Sequence, residues 1–105
     1  MKITVLAGDG IGPEITDAAL AVMEKTAEVF GLDISYDHKL MGGCAYDRFG
    51  TPLPEETVAS AKAADGVLLG AVGGPKWDHI EDVTKRPEKG LLGIRKALGL
   101  YCNLR

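Results

Sequence analysis

The sequence has few cysteines, few aromatic residues and little excess charge of either sign. Its two cysteines, Cys44 and Cys102, belong to no CxxC or Cys/His spacing of the kind found in zinc sites and redox pairs. We therefore expect two reduced, mostly buried thiols. The net charge of −3 provides no broad positive field, so we expect no nucleic-acid partner.

Long apolar runs are also missing. No uninterrupted hydrophobic stretch approaches the roughly 20 residues that a membrane-spanning helix needs. The N-terminus opens directly into a strand-like segment, without the basic and apolar regions of a secretory signal. We therefore expect no membrane partner and a cytoplasmic location. The overall content of 46% hydrophobic and 26% charged residues is ordinary for a globular domain.

Hydrophobic periodicity predicts alternating strands and helices. The strand-like segments are 2–7, 33–41 and 66–72, and the segments with helical spacing are 13–30, 44–49, 54–65 and 90–100. Pro13 and Pro54 suit the first position of a helix, and Gly31 suits a helix C-cap. The segment from Gly73 to about Lys89 has no periodicity and is longer than an ordinary loop.

This order of elements predicts an α/β fold, a layered sheet with helices on both faces. We assign residues 1–105 to one partial domain. A parallel sheet that stopped at Arg105, within an extended segment, would leave open strand edges and an uncovered face. The sequence therefore indicates part of a longer protein.

The first candidate ligand loop is Gly8-Asp9-Gly10-Ile11-Gly12, which follows the first strand. It differs from the dinucleotide-binding pattern G-x-G-x-x-G, because the third glycine comes one residue early and precedes Pro13. Two interpretations stay open. The segment is either a tight strand-to-helix turn that needs glycine, or a ligand loop at the carboxyl end of a strand.

The second candidate is the long loop, which begins GGPKWD at Gly73 and reaches RPE at Glu88. Its glycines would let a ligand approach the backbone, and Glu88 could accept a hydrogen bond from a ribose hydroxyl or a carboxamide. Trp77 offers a stacking surface, although a packing anchor for the loop is the more ordinary role of such a residue. His38 and His79 are isolated and receive no role.

The third candidate is the pair Arg95 and Arg105. The planar fork of arginine binds a carboxylate through two parallel hydrogen bonds, so two arginines in one cleft would suit a dicarboxylic acid. A cation in the last turn of a helix is also stabilised by the helix dipole, which would explain Arg95 without a ligand.

Four segments in order resemble the N-terminal portion of the β-decarboxylating dehydrogenases, the family of isocitrate and isopropylmalate dehydrogenases. They are LAGDGIGPEI, DRFGTPLPEET, ADGVLLGAVGGPKWD and RPEKGLLGIRKALGLYCNLR. The GGPKWD and RPEKGLLGIRK segments are similar to the isopropylmalate branch. Isocitrate-specific members typically carry a serine before the first arginine, whereas this chain reads GLLGI at residues 90–94.

The resemblance implies a two-domain α/β enzyme that works as a homodimer with NAD and Mg²⁺ or Mn²⁺, in which residues 101–105 lead into the second domain. The implied reaction is the oxidative decarboxylation of 3-isopropylmalate in leucine biosynthesis. The resemblance also implies that Arg95 and Arg105 bind substrate carboxylates and that Leu91 and Leu92 form the apolar wall for the isopropyl group. The implied NAD contacts lie in the loop, at Gly74, Pro75, Lys76, Trp77, Asp78 and Glu88.

The tyrosine, lysine and aspartates that handle protons and metal in this family have no matching motif here. We therefore assign no catalytic residue and no metal ligand to the chain, and we expect 105 residues alone to be inactive. Two alternatives stay open. One is a related enzyme that acts on homoisocitrate or tartrate, and the other is a non-catalytic, truncated α/β fragment.

Overall fold

The computed structural model describes all of residues 1–105. It contains three strands, four helices and two short 3-10 turns. The strands are β1 (Lys2–Gly8), β2 (Ser35–His38) and β3 (Gly66–Ala71). The helices are α1 (Gly12–Phe30), α2 (Gly43–Phe49), α3 (Glu55–Ala63) and α4 (Pro87–Ala97), and the 3-10 turns are Pro75–Trp77 and Val83–Lys85.

The three strands form a parallel sheet in the order β2-β1-β3. The central strand pairs Val5 with His38 on one side and with Leu68 on the other. Leu6 of this strand is 0% exposed, as expected for a parallel strand that is covered on both faces. The predicted α/β class is confirmed.

Helices cover both faces of the sheet. On one face, Leu6 packs with Met41, Ala61 of α3 and Ile94 of α4 in the main hydrophobic cluster. On the other face α1 crosses β3 so closely that a Cβ atom on Gly70 would lie 2.6 Å from Thr16 Oγ1. The expected layered arrangement is therefore present.

Helix α1 has the predicted ends but not the predicted burial. It ends at Gly31, whose φ of 66° gives the left-handed C-cap, and Pro13 lies in its first turn. Its buried residues are Gly12 and Thr16 alone, whereas Val22 is 67% exposed. The helix packs on β1 and β3, and no further layer of this chain covers its apolar stripe.

The predicted bounds of two elements, β2 and α4, were wrong at both ends. Strand β2 is shorter than the predicted segment 33–41, because only four residues pair with β1. Helix α4 begins at Pro87 rather than at Gly90 and ends at Ala97 rather than at residue 100. Proline at the first helical position and the acidic Glu88 in the first turn are ordinary helix-start signals. Gly90, inside the helix, resembles a loop residue, so the sequence did not show that the helix begins before it.

The prediction of two mostly buried thiols was wrong for Cys102. Cys44 is half-buried, but Cys102 is exposed. Residues 101–105 have no regular structure and all are exposed, so Cys102 has no surrounding layer to bury it. None of the helices combines the length and the apolar composition that crossing a membrane requires.

Candidate functional site

The buried carboxylate of Asp9 joins three segments at the carboxyl edge of the sheet. Asp9 is 4% exposed, and its Oδ2 atom accepts hydrogen bonds from the backbone N–H groups of Gly43, at 2.7 Å, and Gly73, at 2.9 Å. Its Oδ1 atom accepts a third from Cys44 N, at 2.7 Å. The loop after β1, the start of α2 and the loop after β3 are therefore held by one side chain.

The glycine-rich segment that begins at the last residue of β1 is a tight turn. Gly8 has a φ of 78°, and a Cβ atom there would lie 1.9 Å from the carbonyl oxygen of Ala71. The next residue donates its backbone N–H to that same oxygen, at 2.6 Å. Of the two interpretations of GDGIG, the geometry favours the strand-to-helix turn, with Asp9 directed into the protein.

The role of Asp9 was not found from the sequence. The only local signal is an acidic residue between two glycines directly after a strand, and its partners lie 34 to 64 positions away. Burial is the main cause that raises the pKa of the neighbouring Cys44 thiol, and the charge of Asp9 raises it further. A thiol held in its protonated form is a poor nucleophile, so Cys44 is not an activated cysteine.

The start of the predicted cofactor loop is clasped to α2 through Asp47. Lys76 Nζ donates to Asp47 Oδ2, at 2.7 Å, and Trp77 Nε1 donates to Asp47 Oδ1, at 3.1 Å. These hydrogen bonds, that of Lys76 first, lower the pKa of Asp47. The side chains of Lys76 and Trp77 are thus bound to the protein itself, and the indole of Trp77 packs against Gly43.

The other residues of the predicted cofactor set include a carboxylate, that of Glu88, which pairs with no cation. Glu88 is exposed, belongs to none of the side-chain ion pairs and approaches Gly73, where a Cβ atom would lie 2.7 Å from its Oε1. Pro75 and Asp78 are exposed, and Gly74 is half-buried. A free carboxylate beside a side-chain-free backbone fits a ligand that carries hydroxyl or amide donors, as NAD does.

The predicted substrate residues of α4 share one side of the helix with Glu88. Leu92 follows Glu88 by four positions and precedes Arg95 by three, the spacing of neighbours on a helix surface. Leu92 is 53% exposed, and Arg95 is exposed as well. Leu91 lies deeper and packs against the main hydrophobic cluster. Helix α4 therefore presents a carboxylate, an apolar surface and a guanidinium in that order.

Arg95 also lines a shallow groove of about 280 Å³ beside the C-terminal segment. The other lining residues are Leu100, Tyr101, Cys102, Asn103 and Leu104. Arg105 is exposed and does not line this groove. The structure thus places Arg95 beside the segment that carries Arg105, without enclosing the two arginines in one pocket.

No group of three or more His, Cys, Asp and Glu side chains in residues 1–105 is arranged to hold a metal ion. The acidic residues near the site have other partners or stand apart. Asp9 accepts hydrogen bonds from three backbone N–H groups, and Asp47 accepts from Lys76 and Trp77.

Comparison with known proteins decides the family. The model of the isocitrate/isopropylmalate dehydrogenase family matches residues 2–105. The chain belongs to the isocitrate/isopropylmalate dehydrogenase family. The resemblance carried by the four ordered segments is therefore confirmed.

Curated members of the isocitrate/isopropylmalate dehydrogenase family match the chain closely. The 3-isopropylmalate dehydrogenase of Chromohalobacter salexigens is 62% identical over 99% of this chain, which spans 29% of that protein. The 3-isopropylmalate dehydrogenase of Halalkalibacterium halodurans is 61% identical over 99% of the chain, which spans 28% of it. The chain thus corresponds to less than a third of the length of these relatives.

Solved structures of this family share the fold. An apo β-decarboxylating dehydrogenase from Thermococcus kodakarensis superimposes with a TM-score of 0.72 at 29% identity, over 95% of this chain and 27% of its own. Isocitrate dehydrogenase from Methylococcus capsulatus gives a TM-score of 0.72 at 37% identity, over 95% of this chain and 26% of its own.

Proposed function

We propose that the protein to which this chain belongs is a 3-isopropylmalate dehydrogenase, which converts 3-isopropylmalate and NAD to 4-methyl-2-oxopentanoate, CO₂ and NADH in leucine biosynthesis. The observation that carries the proposal is the exposed face of α4, where Leu92 lies one turn from Arg95. The 3-isopropylmalate dehydrogenases that match over 99% of the chain support it.

The face of α4 suits a substrate that is both anionic and apolar. Arg95, together with Arg105, binds the carboxylates, because a guanidinium holds a carboxylate through two charge-assisted hydrogen bonds. Leu92 and Leu91 receive the isopropyl group, which gains about 0.8 kcal/mol for each buried CH₂. A third carboxylate at this place would be buried without a partner, and this cost disfavours isocitrate.

The cofactor contacts lie in the loop after β3. Glu88 accepts hydrogen bonds from hydroxyl or amide groups of NAD. The backbone at Gly74, which has no side chain, lies close to the bound NAD. Pro75, Lys76, Trp77 and Asp78 complete the contact surface, with Lys76 and Trp77 set in place by Asp47. Bound NAD would supply the hydride acceptor for the substrate alcohol, and Mg²⁺ or Mn²⁺, for which we expect ligands outside residues 1–105, would supply positive charge to the developing oxyanion.

Residues 1–105 form part of the first domain, residues 101–105 lead into the second, and the complete enzyme is a cytoplasmic homodimer. Proton transfer and metal binding depend on residues beyond those described here. The contribution of this chain is recognition of the substrate and of NAD.

The proposal is tested on the complete protein, purified and supplied with NAD, Mg²⁺ and 3-isopropylmalate. We expect NADH and CO₂ to appear in equal amounts, and we expect residues 1–105 alone to produce neither. A complete protein that reduces NAD faster with homoisocitrate or tartrate would contradict the proposed substrate. A complete protein without any dehydrogenase activity would support the non-catalytic alternative.

A further inference from the structure

Asp9 is the one charged residue among the buried residues of the chain. A buried carboxylate is costly unless hydrogen bonds compensate for its lost hydration. Here the compensation comes from three backbone N–H groups on two separate segments, at Gly43, Cys44 and Gly73. The carboxylate therefore does more than close its own turn, because it fixes two segments that are distant in sequence.

Both carboxylate oxygens are needed for this arrangement. Oδ2 accepts from Gly43 and Gly73, and Oδ1 accepts from Cys44. An asparagine at this position has one acceptor oxygen and one NH₂ donor, so it would direct a donor at a backbone donor. Asp9→Asn thus removes hydrogen bonds while it keeps the size and shape of the side chain.

The segment that begins at Gly73 carries the proposed cofactor contacts. Gly73 has a φ of 94° and lies beside Glu88, where a Cβ atom would fall 2.7 Å from the Glu88 Oε1 atom. Gly43, bound to the same Asp9 oxygen, forms the surface on which Trp77 packs. Asp9 therefore fixes the position of the loop after β3 relative to Glu88 of α4 and relative to the start of α2.

We propose that Asp9 is a positioning residue for NAD, which acts by holding the Gly73 amide so that the loop 73–77 and Glu88 keep the spacing that the cofactor requires. This inference rests on the proposed function for the identity of the cofactor. The position of the loop itself depends on Asp9 whether or not that function is correct.

The test compares Asp9→Asn with Ser60→Ala in the complete protein. Ser60 is a suitable control because it is buried and hydrogen-bonded to Thr4 and Asp37, away from the loop after β3. Calorimetric titration with NAD should show affinity about tenfold weaker for Asp9→Asn, the order expected for a lost charge-assisted hydrogen bond. Ser60→Ala should bind NAD as the wild type does, even where it lowers the melting temperature.

Hydrogen exchange measured by mass spectrometry gives a second reading that needs no cofactor. Asp9→Asn should speed exchange in residues 73–77 and 43–44 selectively, and Ser60→Ala should not. In the wild type, the Gly73 amide should exchange more slowly than the amide of Gly74. This last comparison requires no variant to fold, and equal rates for the two amides would overturn the inference.

The outcomes separate this inference from the proposed function. If Asp9→Asn speeds exchange of the loop and the wild-type protein is inactive on 3-isopropylmalate, Asp9 still positions the loop. The proposed function is then refuted. Unchanged NAD affinity and loop exchange in Asp9→Asn, in a protein active on 3-isopropylmalate, would refute the positioning role alone.

Discussion

The indole ring of Trp77 lies against Gly43, so closely that a Cβ atom on Gly43 would fall 2.2 Å from the ring atom Cε2. The contact closes the loop after β3 onto the first turn of α2. Asp47 reinforces it by accepting a hydrogen bond from the indole Nε1, at 3.1 Å. A residue without a side chain is therefore required beneath the ring.

Gly43→Ala should displace Trp77 and destabilise the protein. A methyl group inserted into a filled contact costs about 1–3 kcal/mol, and here the atoms it meets belong to a rigid ring. Urea denaturation of the complete protein measures the change in the free energy of unfolding. The matched control is Gly66→Ala, whose Cβ atom would meet only Ile3 Cδ1, at 3.3 Å. Equal effects of the two substitutions would show that the Trp77 contact has no special role.

The clasp at Asp47 should make stability depend on pH in acid. Hydrogen bonds from Lys76 and then Trp77 hold the pKa of Asp47 below its ordinary value of 3.8. Because the folded state favours the charged form, this stabilisation is complete above that value and is lost as the pH falls through the lowered pKa. Asp47→Asn should therefore lower the melting temperature at neutral pH, and the difference from the wild type should vanish in strong acid.

The control for this titration is Asp78→Asn, which changes an exposed carboxylate of the same loop. It should leave the melting temperature close to that of the wild type at every pH. The effect of Asp47→Asn should be small, because exposed ion pairs contribute little and are screened by salt. A difference for Asp47→Asn that persists unchanged into strong acid would contradict the clasp.

Much of the fold follows from local patterns. The continuous apolar run of β1 predicted a central strand, and Pro13 and Gly31 predicted the ends of α1, because these signals act within a few residues. The exposure of Val22 on α1 was not predictable from these local patterns. An apolar stripe shows that a helix has a face to cover, but it does not show which layer of the protein covers it.

The candidate site was predictable only in part. Leu92 and Arg95 were named as candidates because their family motif is contiguous in sequence. The structure places both on the exposed side of α4, and their role in substrate binding stays a prediction. Asp9 and Asp47 were not found, because their partners are backbone amides and loop side chains brought close only by the parallel sheet. The helical start at Pro87 was missed since Gly90 resembles a loop residue in sequence.

On the proposed function, Leu92→Ala should weaken the turnover of 3-isopropylmalate by the complete protein. Removal of part of the apolar wall should lower kcat/KM for 3-isopropylmalate about tenfold, which corresponds to the loss of about two buried CH₂ groups at about 0.8 kcal/mol each. Steady-state kinetics of the complete protein provide the measurement, with Lys89→Ala on the same helix as the control. An unchanged kcat/KM for Leu92→Ala would remove this residue from the substrate surface.

Arg95→Lys distinguishes substrate binding from stabilisation of the helix. Lysine keeps the positive charge in the last turn of α4 but loses the planar fork, so a helix-dipole role alone predicts no kinetic change. A substrate role predicts a fall in kcat/KM for 3-isopropylmalate of about 10- to 100-fold, with KM for NAD nearly constant. Lys96→Arg, an exposed change one residue away, should have no effect on either constant.

The central claim is that this chain supplies the recognition surface of a 3-isopropylmalate dehydrogenase, and the ratio of kcat/KM for 3-isopropylmalate to that for isocitrate tests it most directly. Burial of the additional carboxylate of isocitrate against the apolar surface at Leu91 and Leu92, without a partner, is energetically costly. The complete protein should therefore favour 3-isopropylmalate by at least about 100-fold. Leu92→Ala should reduce this ratio. Equal turnover of the two substrates, or a preference for isocitrate, would contradict the account.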